Sequence, residues 1–297
     1  METILKTNGL TKRFGRKIAV NHVNMTLNKG DIYGFIGRNG AGKTTLMRMV
    51  LGTAFVSEGE MELFGGQPLE QARKRIGSLI EAPGLYKNCS ALENMKRFAI
   101  LYGGDEKKCL ELLDFVGLSG VGKKKCGGFS LGMRQRLGIA IALLGDPEFL
   151  VLDEPMNGLD PAGMKEIRDL ILKLNQEKEI TVLISSHLLD ELAKIVTKYG
   201  IINDGILIEE VDAQVLETRC SQSLEIGVNN VEQATKLLAE YDPKIQMRVN
   251  NNVISVHGHL EDSARINQIL VQNGCMVREL YYKSNGLEDY FVERIGM

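Results

Sequence analysis

The chain has 297 residues, 44% of them hydrophobic and 25% charged, with a formal net charge of −2. That length holds one large domain and a smaller one, and the composition is that of an ordinary globular protein rather than a disordered or fibrous one. The near-neutral balance gives no electrostatic footprint for nucleic acid, and no uninterrupted apolar stretch approaches the roughly 20 residues that span a bilayer.

In chain order, Met1-Glu2-Thr3-Ile4-Leu5-Lys6 carries no signal-peptide pattern. The run Ile32-Tyr33-Gly34-Phe35-Ile36 reads as a short buried strand. It leads into Gly37-Arg38-Asn39-Gly40-Ala41-Gly42-Lys43-Thr44-Thr45, which satisfies the pattern G-x-x-x-x-G-K-[ST]. Leu46, Met49 and Val50 then recur at helical spacing. Strand, glycine-rich loop and helix make a polyphosphate cradle. Glycine lets backbone N–H groups point inward, and the helix N-terminus adds a favourable partial positive charge. Lys43 would neutralise the β- and γ-phosphates, and the Thr44 hydroxyl would hold Mg²⁺. The alternative is a chance glycine-rich turn, and the flanking strand and helix count against it.

Further along, Ser90-Ala91-Leu92-Glu93 forms a capping box. It precedes a helix with Met95, Phe98, Ala99 and Tyr102 on one face, and Gly103-Gly104 separates this from a second helix bearing Leu110, Leu113 and Val116. Met133, Leu137, Ile141 and Leu144 share a face of a third. Phe149-Leu150-Val151-Leu152-Asp153-Glu154-Pro155 is an apolar run ending in two acids. It reads as a buried parallel strand, with the acids at the carboxyl end where open α/β sheets bind ligands. Asp153 is placed to hold Mg²⁺ through water, and Glu154 to polarise the water that attacks the γ-phosphate. Asp160 caps a helix, Pro161 occupies its first position, and Ile167, Leu170, Ile171 and Leu174 form its buried stripe. The β-rich run Ile180-Thr181-Val182-Leu183-Ile184-Ser185-Ser186 leaves His187 at another strand's carboxyl end.

After about Cys220 the pattern changes. Strands at Leu224–Val228, Ile245–Val249, Val253–Val256 and Met276–Tyr281 alternate with helices near Glu232–Glu240 and Asp262–Val271. This β-α-β-β-α-β order predicts a small ferredoxin-like domain. His257 and His259 lack metal-ligand company and read as surface residues at a strand end. Cys89, Cys109, Cys126, Cys220 and Cys275 are dispersed without Cys-x-x-Cys spacing, as free thiols of a reducing compartment are.

The first 215 residues or so resemble the ATP-binding cassette (ABC) ATPases. Gly37 to Thr45 resembles the Walker A loop and Leu150 to Glu154 the Walker B strand. Asn157-Gly158-Leu159-Asp160 resembles the D-loop, and His187 the switch histidine. Phe129-Ser130-Leu131-Gly132-Met133-Arg134-Gln135-Arg136 resembles the signature Leu-Ser-Gly-Gly-Gln, with Leu131 in place of the first glycine and Met133 in place of the glutamine. The resemblance implies a doubly layered α/β P-loop NTPase core over 1–217, with a helical subdomain over about 82–145, and a separate α+β domain over 218–297. It implies that Phe14 stacks on adenine, that His187 bonds the γ-phosphate, and that Ser130 and Gly132 approach the γ-phosphate held by a second copy. Asp160 belongs to the same nucleotide site. Glu81, in Leu79-Ile80-Glu81-Ala82-Pro83, stands where the family carries a glutamine that links Mg²⁺ and the attacking water to a membrane partner. The Glu81 carboxylate would serve catalysis by ligating Mg²⁺ itself, and a carboxylate there resembles the branch that handles bacitracin and lantibiotics.

The resemblance further implies ATP and Mg²⁺ as cofactors, and a chain that pairs with itself or a similar cassette. A separate transmembrane permease would hold it on the cytoplasmic face of the membrane. It does not imply nucleic acid as a partner. A soluble ABC ATPase of translation or DNA repair is the alternative reading, as is an exporter subunit for an unrelated substrate. The first of these usually has tandem cassettes or long coiled-coil insertions, which this chain lacks.

Overall fold

The computed structural model describes residues 2–102, 104–220, 223–257, 260–283 and 286–295. Gly103, His259 and the side chain of His257 lie outside the described residues. The chain divides into two compact units, Met1–Ala213 and Gln214–Met297.

In the first unit, the strands are β1 (Thr3–Phe14), β2 (Lys17–Val23), β3 (Thr26–Asn28), β4 (Ile32–Ile36), β5 (Glu58–Leu63), β6 (Ile76–Leu79), β7 (Phe149–Asp153), β8 (Thr181–Ser186), β9 (Lys198–Asn203) and β10 (Ile206–Asp212). Its helices are α1 (Lys43–Leu51), α2 (Leu69–Arg73), α3 (Ala91–Tyr102), α4 (Glu106–Phe115), α5 (Leu131–Ala142), α6 (Pro161–Lys178) and α7 (Leu189–Ala193), with α8 (Ala213–Arg219) at the boundary. Six strands form one sheet in the order β10-β9-β4-β8-β7-β6. All its pairings are parallel except that of β10 with β9. Every residue of β4, β7 and β8 is buried. This explains why these strands read as continuous apolar runs instead of alternating ones. A second, antiparallel sheet is built on β1, which pairs with β2, β3 and β5.

The parallel sheet sets the position of the phosphate loop. Leu46, Met47, Met49 and Val50 of α1 join Phe35, Phe149, Val151 and Leu183 in one buried cluster. Burial of each such side chain contributes roughly 1.5–3 kcal/mol, so α1 is held firmly against the sheet. Its N-terminus therefore lies at the carboxyl ends of β4, β7 and β8.

The helical stretch agrees with the pattern in outline and differs in its faces. Met95 and Ala99 of α3 are buried, whereas Tyr102 is 52% exposed. Leu113 of α4 and Val116 just beyond it are buried as the pattern predicts, but Leu110 is half exposed and Cys109 and Leu112 join the buried face. On α5, Met133 and Ile141 are only partly buried, while Gln135, Leu137, Gly138, Ile139, Ala140 and Ala142 are buried. That helix packs on β6, α3, α4 and α6. A helix enclosed from several sides loses the single stripe that periodicity predicts. By contrast α6, with one side exposed, buries Ile167, Leu170, Ile171 and Leu174 as its pattern requires.

The second unit contains β11 (Ser223–Val228), α9 (Val231–Tyr241), β12 (Gln246–Asn250), β13 (Val253–His257), α10 (Ser263–Gln272), β14 (Val277–Lys283) and α11 (Leu287–Ile295). Its antiparallel sheet runs β12-β13-β11-β14, the strand order of a ferredoxin-like fold. Leu224, Ile226, Ile254 and Val256 from the strands meet Ala234, Leu238, Ile266 and Leu270 from the two helices in its own core.

Candidate functional site

Two glycines shape the loop between β4 and α1. Gly42 has φ +108°, and a Cβ there would sit 2.4 Å from the Ala19 carbonyl oxygen. A Cβ on Gly37 would lie 2.3 Å from the Ile202 carbonyl oxygen. The first position needs glycine for conformation and for space, the second for space alone. The loop curls around Lys43, which is 5% exposed. Lys43 Nζ donates to the carbonyl oxygens of Gly37 (2.6 Å) and Arg38 (3.2 Å) and lies 3.5 Å from Glu154 Oε1.

A chain of short contacts links this loop to the two neighbouring strands. Thr44 Oγ1 donates to Asp153 Oδ2 at 2.7 Å, and Ser185 Oγ donates to Asp153 Oδ1 at 2.5 Å. Asp153 and Ser185 are register partners on β7 and β8. Directly after β7, Glu154 adopts φ +50°. A non-glycine residue in the left-handed region costs on the order of 1 kcal/mol. Ser185 offsets this, because the Glu154 N–H donates to Ser185 Oγ at 2.9 Å and to its carbonyl oxygen at 3.2 Å. The turn lifts the Glu154 carboxylate toward His187, whose Nδ1 lies 2.8 Å from Oε2. Glu154 Oε1 is buried without a hydrogen-bond partner. Lys43, Thr44, Asp153, Glu154 and His187 are thus gathered at one edge of the sheet.

A cavity of about 300 Å³ opens beside them, lined by Phe14, Lys17, Ala19, Asn39, Gly40, Gly42, Lys43, Thr44, Thr45 and Glu154. Phe14 is 55% exposed, and Lys12 Nζ lies 4.9 Å from its ring centroid. Phe14 pairs with Lys17 across the β1–β2 hairpin, so the hairpin tip forms one wall and the phosphate loop the other. Arg38 and Ala41 complete the loop without lining the cavity: Arg38 is exposed and Ala41 packs into the core. Lys17, Ala19 and Ser185 were not singled out by sequence reasoning. Lys17 and Ala19 sit in a strand with no motif, and Ser185 became visible only once β7 and β8 were aligned.

Other residues expected at the nucleotide occupy different places in a single copy of the chain. Ser130, Gly132 and Asp160 line a separate groove of about 460 Å³ with Leu131, Met133 and Leu159. Ser130 Oγ caps α5 by accepting from Met133 N at 3.2 Å, and Asp160 Oδ1 caps α6 by accepting from Gly163 N at 3.0 Å. A Cβ on Gly132 would make ordinary van der Waals contact with Leu159 Cδ2 at 3.7 Å. Glu81, at φ +60°, is exposed, and its Oε1 accepts from Arg48 Nη2 of α1 at 2.5 Å. It pairs with that guanidinium and does not line the Lys43 cavity.

Comparison with known proteins matches this arrangement to one family. The family model described as "ABC transporter" matches residues 20–157, and one described as "AAA domain, putative AbiEii toxin, Type IV TA system" matches residues 126–193. The bacitracin transport ATP-binding protein BcrA of Bacillus licheniformis is 44% identical over 301 residues, covering 100% of this chain and 98% of the relative. The lantibiotic transport ATP-binding protein SrtF of Streptococcus pyogenes is 43% identical over 229 residues, covering 76% of this chain and 96% of the relative. Among solved structures, a dimeric bacterial ABC transporter cassette superposes with a TM-score of 0.64 at 26% identity, covering 71% of this chain and 99% of that one.

Proposed function

The chain belongs to the ABC transporter family as an ATP-binding, ATP-hydrolysing subunit, and on that premise we propose that it powers the export of a peptide antibiotic of the bacitracin or lantibiotic type. The similarity to bacitracin and lantibiotic transport ATP-binding proteins supports this substrate class. The observation that carries the catalytic reading is the convergence of Lys43, Thr44 with Asp153, and Glu154 with His187 at the carboxyl ends of adjacent strands.

The residues fit the nucleotide and its metal. Gly37 and Gly42 let the loop pack tightly against the Ile202 and Ala19 carbonyls and so hold its curl, and Lys43 exchanges its carbonyl partners for the β- and γ-phosphate oxygens. Phe14 offers the adenine a stacking surface, and Asn39, Gly40 and Thr45 complete the wall below it. The Thr44 hydroxyl and Asp153 would hold Mg²⁺, which takes few protein ligands because substrate phosphates and water fill the rest. That ion would neutralise charge on the phosphates as the bond breaks. Glu154 accepts a proton from the water attacking the γ-phosphorus, and the bond to the β,γ-bridging oxygen breaks to release ADP and phosphate. Its Oε1, 3.5 Å from Lys43 Nζ, is the acceptor this step uses. His187 keeps the Glu154 carboxylate in place and, with ATP bound, turns its N–H to the γ-phosphate.

Ser130 and Gly132 lie apart from the Lys43 cavity, as groups supplied to a second copy's nucleotide do. The chain accordingly acts as an ATP-sandwich dimer with itself or with a similar cassette. No helix among the described residues is long and apolar enough to cross a membrane. The similarity to transport ATP-binding proteins supports a separate permease as the translocation path, with this subunit on the cytoplasmic face beside it. Glu81 and the helices that follow it face that permease. The experiment is drug protection in a sensitive bacterium expressing this chain with its permease. Protection against bacitracin or a lantibiotic is expected and should vanish in Glu154→Gln. Protection unchanged by that substitution, or none against either class while ATP is hydrolysed, refutes the export role.

A further inference from the structure

Two of the free cysteines oppose each other across a short antiparallel pairing that leads into the signature segment. Ser90 and Lys125 form its bridge. Beside it Cys126 N donates to the Cys89 carbonyl oxygen at 2.8 Å, and Gly127 N to that of Lys87 at 2.8 Å. Cys89 and Cys126 lie one residue beyond that bridge, and the backbone bond between them sets their Cα atoms about 5.5 Å apart, the spacing of a hydrogen-bonded antiparallel pair. That lies inside the roughly 4.4–6.8 Å window a disulfide requires. Cys89 is partly exposed and Cys126 is buried. Asn94, itself buried, donates from Nδ2 to Cys126 Sγ at 3.3 Å. Burial pushes the Cys126 thiol above its usual range, with the neighbouring Cys89 adding to the rise and the Asn94 amide opposing it.

We propose that Cys89 and Cys126 form a reversible, peroxide-responsive disulfide that staples the approach to the signature serine. Exposure makes Cys89 the first target. Its thiolate attacks one peroxide oxygen, the O–O bond breaks, Cys89 becomes a sulfenic acid, and the departing hydroxide takes up the proton the thiol gave up and leaves as water. The Cys126 sulfur then attacks the Cys89 sulfur, its proton leaves with the sulfenic hydroxyl as a second water, and the S–S bond forms. Two thiols lose two electrons in total, and one peroxide takes them up. Cys126 opens the turn Cys126–Gly128, and Ser130 caps α5 just beyond it. The staple therefore joins the segment before α3 to the segment that must present Ser130. This chemistry is independent of the substrate the transporter carries.

The test treats the purified full-length chain with stoichiometric hydrogen peroxide, followed by intact mass measurement and non-reducing peptide mapping. The expected product has lost two hydrogens, contains one linked peptide pair bearing Cys89 and Cys126, and reverts with dithiothreitol. Cys126→Ser should stop at a Cys89 sulfenic acid that dimedone traps, and Cys89→Ser should leave Cys126 a thiol. A disulfide through any other cysteine would overturn the proposal. So would a Cys89 sulfenic acid that accumulates equally in the unsubstituted chain and in Cys126→Ser, or a Cys89 that does not react.

Discussion

At the scale of single residues the site separates substrate binding from metal placement. Lys43 bonds two carbonyl oxygens and lies 3.5 Å from Glu154 Oε1, and the proposed function assigns its charge to the phosphates. Hydrogen bonds to charged groups contribute about 1.5–3 kcal/mol each. Lys43→Ala should therefore weaken ATP binding by roughly 10- to 100-fold, as read by titration with a fluorescent nucleotide; an unchanged affinity would remove Lys43 from the phosphate site. Ser185 acts one step further out. It donates to Asp153 and accepts from the Glu154 N–H, so it orients one acid by its side chain and the other by its backbone. Loss of an outer partner of this kind typically costs about 10- to 100-fold in metal affinity or activity. Ser185→Ala should thus raise the Mg²⁺ concentration for half-maximal turnover by about that factor while leaving metal-free nucleotide binding intact. Equal losses in both measurements would show a folding defect instead.

At the scale of elements, helix caps hold the loops that carry the chemistry. The capping box at α3 is complete: Ser90 N donates to Glu93 Oε2 at 2.6 Å and Glu93 N to Ser90 Oγ at 3.2 Å. The Ser90 N–H, followed by its hydroxyl, holds the Glu93 carboxyl below the usual range. A depressed folded pKa gives stability that is present above the unfolded value, near 4.3 for Glu, and is lost as pH falls through the folded value. Glu93→Gln should accordingly melt below the unsubstituted chain at pH 7, and the gap should close below about pH 4. A gap independent of pH would mean the charge contributes nothing. Such local devices were legible in the sequence, because capping residues and the glycines of the phosphate loop act through chain neighbours. The strands β4, β7 and β8 were legible for the same reason, as apolar runs ending at motif residues. Ser185 and Lys17 were not, because their partners lie across a sheet register or a hairpin. The exposed face of Leu110 and the wrapped burial of α5 were hidden likewise: periodicity assumes one buried side, and packing supplied several. Leu131 shows the value of the third dimension. A Cβ on Gly158 would meet its Cδ2 at 3.2 Å, so the residue replacing the first signature glycine leans on the Asn157–Asp160 turn.

At the scale of the whole molecule, every residue assigned to nucleotide chemistry falls within the unit Met1–Ala213, and none within Gln214–Met297. The Lys43 cavity and the Ser130 groove are distinct surfaces of that unit. Among the described residues each occurs once, so under the proposed dimer a nucleotide at Lys43 would gain a signature serine only from a second chain. Hydrolysis would then depend on association, and association on nucleotide. At protein concentrations below the dimer dissociation constant, turnover per chain should rise in proportion to concentration, and it should level off above it. Glu154→Gln removes the proton acceptor without removing Lys43 or Thr44, so ATP should bind and persist. In light scattering that variant should double its mass on addition of MgATP and return to a monomer when ATP is exchanged for ADP. A constant specific activity across concentrations, together with a Glu154→Gln chain that stays monomeric in MgATP, would place all catalytic groups in one copy and leave Ser130 no more than the cap of α5.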